Sequence, residues 1–210
     1  MSTEGAVNSD VRRQLGHCAQ LLAGASVAYN AVEAIVAITA GIMAGSVALV
    51  GFGLDSVVEV SSGLIILWQF RHSVPESRER LALRLMALSF YALAAYVAVD
   101  STRTLIFGAD PDASPSGIGL AALSLVVMPT LSRAQRRTGK SLGSNAVVAD
   151  STQNLLCTYL SAVLLFGLLL NATLSWGWAD PIAGLAIAAI ALKEGRNAWR
   201  GNSCCGSIGS

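Results

Sequence analysis

The most informative hydrophobic run of this chain reads Ser46-Val-Ala-Leu-Val-Gly-Phe-Gly-Leu-Asp55-Ser-Val-Val-Glu59-Val-Ser-Ser-Gly-Leu-Ile-Ile-Leu-Trp68. It is long enough to cross a bilayer as one helix, which needs about 20 residues. Asp55 and Glu59 fall near its centre, where an ionised carboxylate costs at least ~2.5 kcal/mol on insertion scales. Their i, i+4 spacing places both side chains on one helix face. Such a pair needs a partner, a proton or a metal ion, and its geometry suits two ligands of one cation.

The composition is that of an integral membrane protein. Of the 210 residues, 53% are hydrophobic and only 13% are charged, whereas a soluble domain is about 25% charged. The mean hydropathy is +0.58, and the apolar stretches are too many and too long for one signal peptide. The net charge of +1 gives no reason to expect a nucleic-acid partner. The cysteines lack framework spacing, so we expect no disulfide scaffold; they are Cys18, Cys157, Cys204 and Cys205.

Six hydrophobic stretches indicate membrane spans, each of which needs about 20 residues to cross a bilayer. They predict an all-α integral membrane protein, folded as a six-transmembrane-helix bundle. The predicted spans are 21–43, 47–70, 81–107, 118–131, 146–170 and 181–192. Pro129 is expected to kink or end the fourth span. We therefore expect an N-terminal segment over 1–18, a six-helix transmembrane domain over 19–200 and a short tail over 201–210.

Basic residues alternate along the connections between the predicted spans. Lys and Arg precede the first span and follow the second, fourth and sixth spans. The other three connections carry none, and only Arg103 lies near the outer end of the third span. Because cytoplasmic loops of membrane proteins carry an excess of Lys and Arg, this pattern predicts that both termini are cytoplasmic. An even number of spans agrees with that topology.

Apart from Arg103 near an outer edge, the ionisable residues that we assign to the interior of the predicted spans are all acidic. They are Glu33, Asp55, Glu59, Asp100 and Asp150. Buried acids without buried bases cannot neutralise one another through internal ion pairs. A proton or a bound cation must neutralise them instead. This imbalance is the strongest functional indication in the composition of the spans.

Each of these acids also has a structural interpretation. Asp55 and Glu59 could be protonated and hydrogen-bonded between helices, and Asp150 could bond to a neighbouring Ser or Asn. For Glu33 the structural and functional interpretations are equally open. Asp100 and Arg103 lie one turn apart, which favours a local ion pair.

Two further polar features lie at the edges of the spans. Asp180 precedes Pro181 at the start of the sixth span. It is expected to cap that helix, because its oxygens can accept hydrogen bonds from free N–H groups and its charge suits the helix dipole. The pair Cys204 and Cys205 in the tail could bind a soft metal or accept a lipid, although an idle reduced pair is the favoured interpretation.

Polar side chains of the fifth span extend the acidic face. Asp150, Asn154 and Cys157 fall at i, i+4 and i+7, and therefore on one side of a helix. Carboxylate and amide oxygens suit Mg, Ca, Mn or Zn, whereas thiolate favours zinc. The ligand types alone therefore leave the metal open.

Three segments, in order, resemble the cation diffusion facilitator family, also called the cation efflux family. The run Ala44-Gly-Ser-Val-Ala-Leu-Val-Gly-Phe-Gly-Leu-Asp55-Ser-Val-Val-Glu59 resembles its second transmembrane segment. Ser144-Asn-Ala146-Val-Val-Ala-Asp150-Ser-Thr-Gln-Asn154 resembles the fifth, and Ala179-Asp-Pro-Ile-Ala-Gly184 opens like the sixth. The resemblance covers about residues 18–200. It implies export of a divalent metal, usually Zn²⁺, Mn²⁺, Fe²⁺ or Co²⁺, in exchange for protons.

The resemblance also implies a tetrahedral transport site with two ligands from the second segment and two from the fifth. By position, Asp55 and Glu59 supply the first pair and Asp150 supplies one member of the second. Ala146 stands where the family has its fourth ligand, and a methyl group cannot coordinate a metal. Glu59 replaces the more usual Asp and reaches about one methylene further.

The missing ligand has three candidate side chains. Glu33 and Asn154 are the favoured candidates, Cys157 is a weaker one, and a water is the alternative. The predicted metal site therefore comprises Asp55, Glu59, Asp150, Glu33 and Asn154.

The predicted function is proton-coupled efflux of a divalent transition-metal cation, with zinc as the favoured substrate. The alternative is a membrane protein that binds or senses metal without transporting it. No organic cofactor is expected. An enzyme is not expected either, because a nucleophile needs a base within reach and both His17 and His72 lie outside the spans.

The expected partners are the lipid bilayer, metal cations, protons and a second copy of the chain. The cytoplasmic domain that usually follows the sixth segment in the family is not expected here, so a homodimer would form through the spans, where small residues allow close packing. We expect a multi-pass protein of the cell membrane, and the lack of a targeting extension favours a bacterial inner membrane.

Overall fold

The computed structural model of the protein describes residues 2–69, 76–108, 111–143 and 145–200. Within these ranges the chain forms six α-helices and no strand, which confirms the prediction of an all-α protein. The helices are α1 (Ser2–Ala44), α2 (Val47–Gln69), α3 (Glu76–Phe107), α4 (Pro115–Leu142), α5 (Asn145–Leu174) and α6 (Ala179–Trp199). The predicted tail with Cys204 and Cys205 lies outside the described residues.

Several helices are suited to a membrane. Within the described ranges, four segments are long and apolar enough to cross one: Gln14–Ala44, Val47–Leu64, Pro115–Leu142 and Asp150–Leu174. The 21-residue helix α6 is not among them, because charged side chains occupy its first and last turns. The count of six spans and the cytoplasmic location of the termini stay predictions.

The bundle buries polar side chains and exposes large apolar ones. Ile35, Val126 and Phe166 are 68%, 65% and 66% exposed, whereas Asn30 and Asn154 are 0% and 1% exposed. In water, exposed apolar area of this extent would be costly, but hydrocarbon tails solvate it well. The outer surface therefore fits a bilayer, and the interior is where polar chemistry is concentrated.

Most helix contacts join α1 with α2, α4 with α5, and α3 with α6. One apolar core is formed by side chains of α1, α2, α4, α5 and α6, around Phe52, Met128 and Leu164. A second core joins α2 to the α3–α6 pair, around Val58 and Val97. Helix α2 contributes to both cores, so the face with Asp55 and Glu59 lies between the two parts of the bundle.

Helices α1 and α2 approach closely at Gly53. A Cβ at this position would lie 2.7 Å from Cγ1 of Ile38 and 2.9 Å from the backbone nitrogen of the same residue. Small residues permit such close backbone approach between membrane helices. The contact brings α1 near enough for Ser56 Oγ of α2 to donate to Glu33 Oε2 over 2.8 Å.

Helices α1 and α4 extend furthest beyond the spans that hydropathy predicts. The fourth predicted span ends at 131, but α4 continues past Pro129 to Leu142 and is terminated by Gly143 at φ 70°. At its start, Ser114 Oγ accepts from Gly117 N–H over 3.1 Å, as an N-cap does. Helix α1 begins at Ser2, so most of the predicted N-terminal segment is helical. Hydropathy marks only the apolar part of a helix, whereas the helix itself ends at a cap or a turn.

The side chain of Asp180 accepts hydrogen bonds from the start of α2 instead of capping α6 as predicted. It lies in the first turn of α6, but Ser46 Oγ donates to its Oδ1 at 2.5 Å and Ala48 N–H donates to its Oδ2 at 3.4 Å. Ser46 Oγ also accepts from Leu49 N–H at 3.1 Å. The carboxylate therefore satisfies the start of α2, and the prediction that it caps α6 is wrong.

Candidate metal site

Three potential ligands converge in the interior from three different helices. They are Glu33 of α1, Glu59 of α2 and Cys157 of α5, and one ligand atom from each lies within 4.8 Å of the others. Their side chains are 1%, 5% and 0% exposed, respectively. Two carboxylates and a thiol at this separation can bind one divalent cation, and the sulfur favours zinc over harder ions. We refer to these three residues as the inner cluster.

Hydroxyl groups hold Glu33 in place within the inner cluster. Ser56 of α2 donates to Oε2 at 2.8 Å, and Ser124 of α4 donates to Oε1. The Sγ atom of Cys157 lies 3.8 Å from Oε2 as a weak donor, and Tyr29 shares a 2.8 Å hydrogen bond with Ser124. Because outer hydrogen bonds orient ligating groups and tune a metal site, this arrangement prepares Glu33 to act as a ligand.

One carboxylate oxygen of Glu59 lacks a hydrogen-bond partner. Its Oε2 is buried and has no hydrogen-bond partner. A buried polar atom without a partner is uncommon and calls for an explanation such as an ion or a proton. Asp55, one turn earlier, is 4% exposed and lines a cavity together with Glu59. The two acids therefore share one side of α2, but only Glu59 is part of the inner cluster.

Asp150 and Asn154 are joined to α4 through Gln135. Gln135 Nε2 donates to Asp150 Oδ2 at 2.7 Å, and Asn154 Nδ2 donates to Gln135 Oε1 at 2.6 Å. Ser26 of α1 donates to Asn154 Oδ1 at 3.2 Å. Neither residue belongs to the inner cluster, and their side chains form a buried polar network beside it.

The five predicted site residues therefore fall into three sets. Glu33 and Glu59 lie together with Cys157, the weaker of the predicted candidates. Asp55 lines the adjoining cavity, and Asp150 and Asn154 bond to Gln135. Ala146 falls in the first turn of α5, and its side chain lies outside the described part of the chain.

Sequence reasoning missed Gln135 and Ser124 of α4. Gln135 lies beyond the predicted end of the fourth span, next to Arg136 and Arg137, and was assigned to a cytoplasmic connection. A signal was present, because Ser124, Ser132 and Gln135 recur at intervals of eight and three residues and share the buried face of α4. Polar residues at helical spacing beyond an apolar stretch indicate that the helix continues.

The excess of buried acid is retained in the folded chain. Among the residues of described burial, no Lys, Arg or His is buried. Asp100 and Arg103 do not form the predicted ion pair: within the described ranges no salt bridge joins them, and Arg103 is exposed. Within the part of the chain whose burial is described, the inner cluster therefore has no buried basic side chain to balance it, so a proton or a cation must do so.

Comparison with known proteins gives a consistent result. The family model described as "Cation efflux transmembrane domain" matches residues 24–202. Transmembrane protein 163 of Xenopus laevis is 25% identical over 178 residues, covering 81% of this chain and 62% of that protein. An uncharacterized transporter of Methanocaldococcus jannaschii is also 25% identical, covering 80% of this chain and 62% of its own length. Magnetosome protein MamB of Magnetospira sp. is 24% identical, with 74% of this chain and 56% of that protein covered. The chain thus spans less than two thirds of each of these relatives.

Proposed function

Since the chain belongs to the cation efflux family, a family of transporters rather than enzymes, we propose that it carries a divalent transition-metal cation across a membrane. Zinc is the favoured ion, because the inner cluster offers sulfur as well as oxygen, a donor set that suits zinc. We further propose that transport is efflux from the cytoplasm, driven by protons moving in the opposite direction.

One observation carries this proposal. Glu33, Glu59 and Cys157 lie together in the interior, and no Lys, Arg or His is buried among the residues whose burial is described. An apolar core would serve stability better than unpaired acids. Their position at the junction of α1, α2 and α5 also suits a site that must open to either side, because small movements of these helices alter the distances between ligands.

The proposed topology has six spans and both termini in the cytoplasm. All six helices α1 to α6 would cross a cell membrane of the bacterial inner type, which makes the chain a multi-pass membrane protein. The protein would act as a homodimer. The alternation of Lys and Arg along the chain supports the orientation. The exposed apolar side chains support the membrane location.

The proposed cycle couples metal binding to proton release. With protons on the acids and on the thiol of Cys157, the cluster is neutral; a metal entering from the cytoplasm displaces these protons and is bound by Glu33, Glu59 and Cys157. In other states of the cycle, Asp55 and Asp150 also act as ligands, and Asp150 does so once its hydrogen bond from Gln135 is broken. Asn154 is the remaining candidate ligand. Rearrangement of the helices then exposes the site outward, where protons compete for the same atoms and release the metal.

Purified protein in sealed vesicles tests this function directly. We expect Zn²⁺ uptake to saturate with concentration and to release protons from the vesicle interior, since each metal that binds displaces protons. Uptake should accelerate when the interior is more acidic than the outside. Protein-free vesicles are the control. Binding of Zn²⁺ without flux would contradict transport and favour a membrane metal-binding protein.

The sulfur ligand yields a prediction about metal preference. Cys157→Ser should weaken Zn²⁺ binding by about 10-fold or more, because a hydroxyl is a poor substitute for thiolate. Mn²⁺ binding should change by less than about 3-fold, because Mn²⁺ prefers oxygen ligands. Calorimetric titration of the purified protein measures both affinities.

The matched control is Cys18→Ser, which alters an exposed cysteine of α1 whose Sγ lies 3.8 Å from the hydroxyl of Thr138. It should leave both affinities unchanged. Equal losses for Zn²⁺ and Mn²⁺ in Cys157→Ser would show that Cys157 is not a ligand.

A further inference from the structure

A cavity beside the inner cluster holds a second set of polar groups. It lies between α2, α3, α5 and α6 and is lined by Asp55 and Glu59 of α2, Gln153 of α5 and Glu194 of α6, with apolar side chains forming the rest of its wall. Glu59 belongs both to this cavity and to the inner cluster, whereas Glu33 and Cys157 do not line the cavity. The two spaces therefore meet at Glu59.

Glu194 is a buried acid close to the charged end of α6. It is 9% exposed, although its neighbours Lys193 and Arg196 are exposed. Asn197 Nδ2 lies 3.4 Å from each of its carboxylate oxygens as a donor. Glu194 and Asp55 line the same cavity. A cation held in this cavity would be attracted by both carboxylates.

The unpartnered oxygen of Glu59 indicates that the cavity takes a ligand. Glu59 lines it, is 5% exposed, and has a buried Oε2 atom without a hydrogen-bond partner. Gln153 is neutral and also lines the cavity, and its Oε1 accepts from Ser62 Oγ at 2.5 Å. Among the described residues, the lining contains two further carboxylates and no Lys, Arg or His. These groups suit a divalent cation better than an anion or an apolar molecule.

We propose that Asp55 and Glu194 form a loading position for the divalent cation, from which it passes by way of Glu59 to the inner cluster. This inference rests on the proposed transport function and adds a residue of α6 to it. The loading position offers only oxygen donors, which discriminate weakly among divalent metals. It concentrates the cation, and the sulfur of the inner cluster then selects among metals.

The substitution Glu194→Gln tests the loading position while keeping the size of the side chain. In vesicles with the full chain, KM should rise about 10-fold for Zn²⁺ and by a similar factor for Mn²⁺, because local carboxylate charge raises the cation concentration. The maximal rate should stay within about 2-fold of wild type, because the inner cluster is intact. Asp100→Asn, which removes a half-buried acid of α3 outside the cavity, should leave KM unchanged.

The result separates this inference from the proposed function. If wild type transports Zn²⁺ and Glu194→Gln has the same KM, the loading position is wrong and the transport function stands. A reduced maximal rate at unchanged KM also overturns it, since that result assigns Glu194 to a structural role. If wild type moves no metal, the transport function itself fails. Should Glu194→Gln not fold, Glu194→Asp replaces it, with an expected rise in KM of about 3-fold and the same overturning results.

Discussion

Replacing Glu59 with Gln is expected to reduce Zn²⁺ transport by at least ~100-fold, because losing a ligand costs more than the 10- to 100-fold typical of a supporting residue. Glu59 is common to the inner cluster and the adjoining cavity, so both binding steps require it. Glutamine fills the same volume and leaves α2 packed as before. The loss therefore comes from the missing negative charge and the weaker amide ligand, not from a disrupted fold.

Initial rates of Zn²⁺ uptake into vesicles measure this effect, with the amount of inserted protein determined in parallel. Asp100→Asn makes the same carboxylate-to-amide change outside the site, and it should transport at the wild-type rate. Retention of half or more of the wild-type rate by Glu59→Gln would mean that Glu59 does not carry the metal, and the assignment of the inner cluster would have to be abandoned.

Gly53→Ala is expected to destabilise the protein by about 1–3 kcal/mol, the usual cost of overpacking a well-packed contact. The added methyl would lie 2.9 Å from the backbone nitrogen of Ile38 and 3.0 Å from Cβ of Ala37. Backbone cannot rotate away as a side chain can, so α1 and α2 must separate. That separation lengthens the bond from Ser56 to Glu33, and Zn²⁺ affinity should fall together with stability.

Thermal unfolding in detergent and calorimetric Zn²⁺ titration measure the two consequences of Gly53→Ala. Gly24→Ala is the control, because a Cβ at Gly24 of α1 meets no atom within 4 Å. It should be neutral or stabilising by up to ~1 kcal/mol, since alanine favours helix over glycine. If both variants unfold at the same temperature, the close approach at Gly53 does not control the α1–α2 contact.

Much of the fold follows from simple patterns in the sequence. The apolar stretches predict an all-helical chain, and the structure places one helix on each of them. The boundaries were harder to predict, because α4 runs eleven residues beyond the predicted end at 131. Its last turns carry Arg136, Arg137 and Lys140, whose low hydropathy is also typical of a loop. Helical hydrogen bonds do not depend on hydropathy, so only caps and glycines such as Gly143 mark the true end.

The candidate site, like the fold, was predictable only in part. Spacing along one helix places Asp55 and Glu59 on one side of α2, but spacing does not tell which residue of another helix lies opposite. Cys157 is near Glu33 because α1 and α5 both pack against α2 and α4, and this tertiary arrangement has no local signature in the sequence. Gln135 is paired with Asp150 by the contact of α4 with α5. Relations across helices therefore had to come from the structure.

The bond from Asp180 to Ser46 has a mechanical consequence. It fastens the first turn of α6 to the start of α2, so a tilt of α6 that keeps this bond must pivot there. Glu194 lies fourteen residues along the helix, about 21 Å from the pivot at 1.5 Å per residue, and a ~10° tilt would carry it through about 4 Å. When α6 tilts about Asp180, its C-terminal end therefore moves furthest, and the distance between Glu194 and Asp55 changes with that movement.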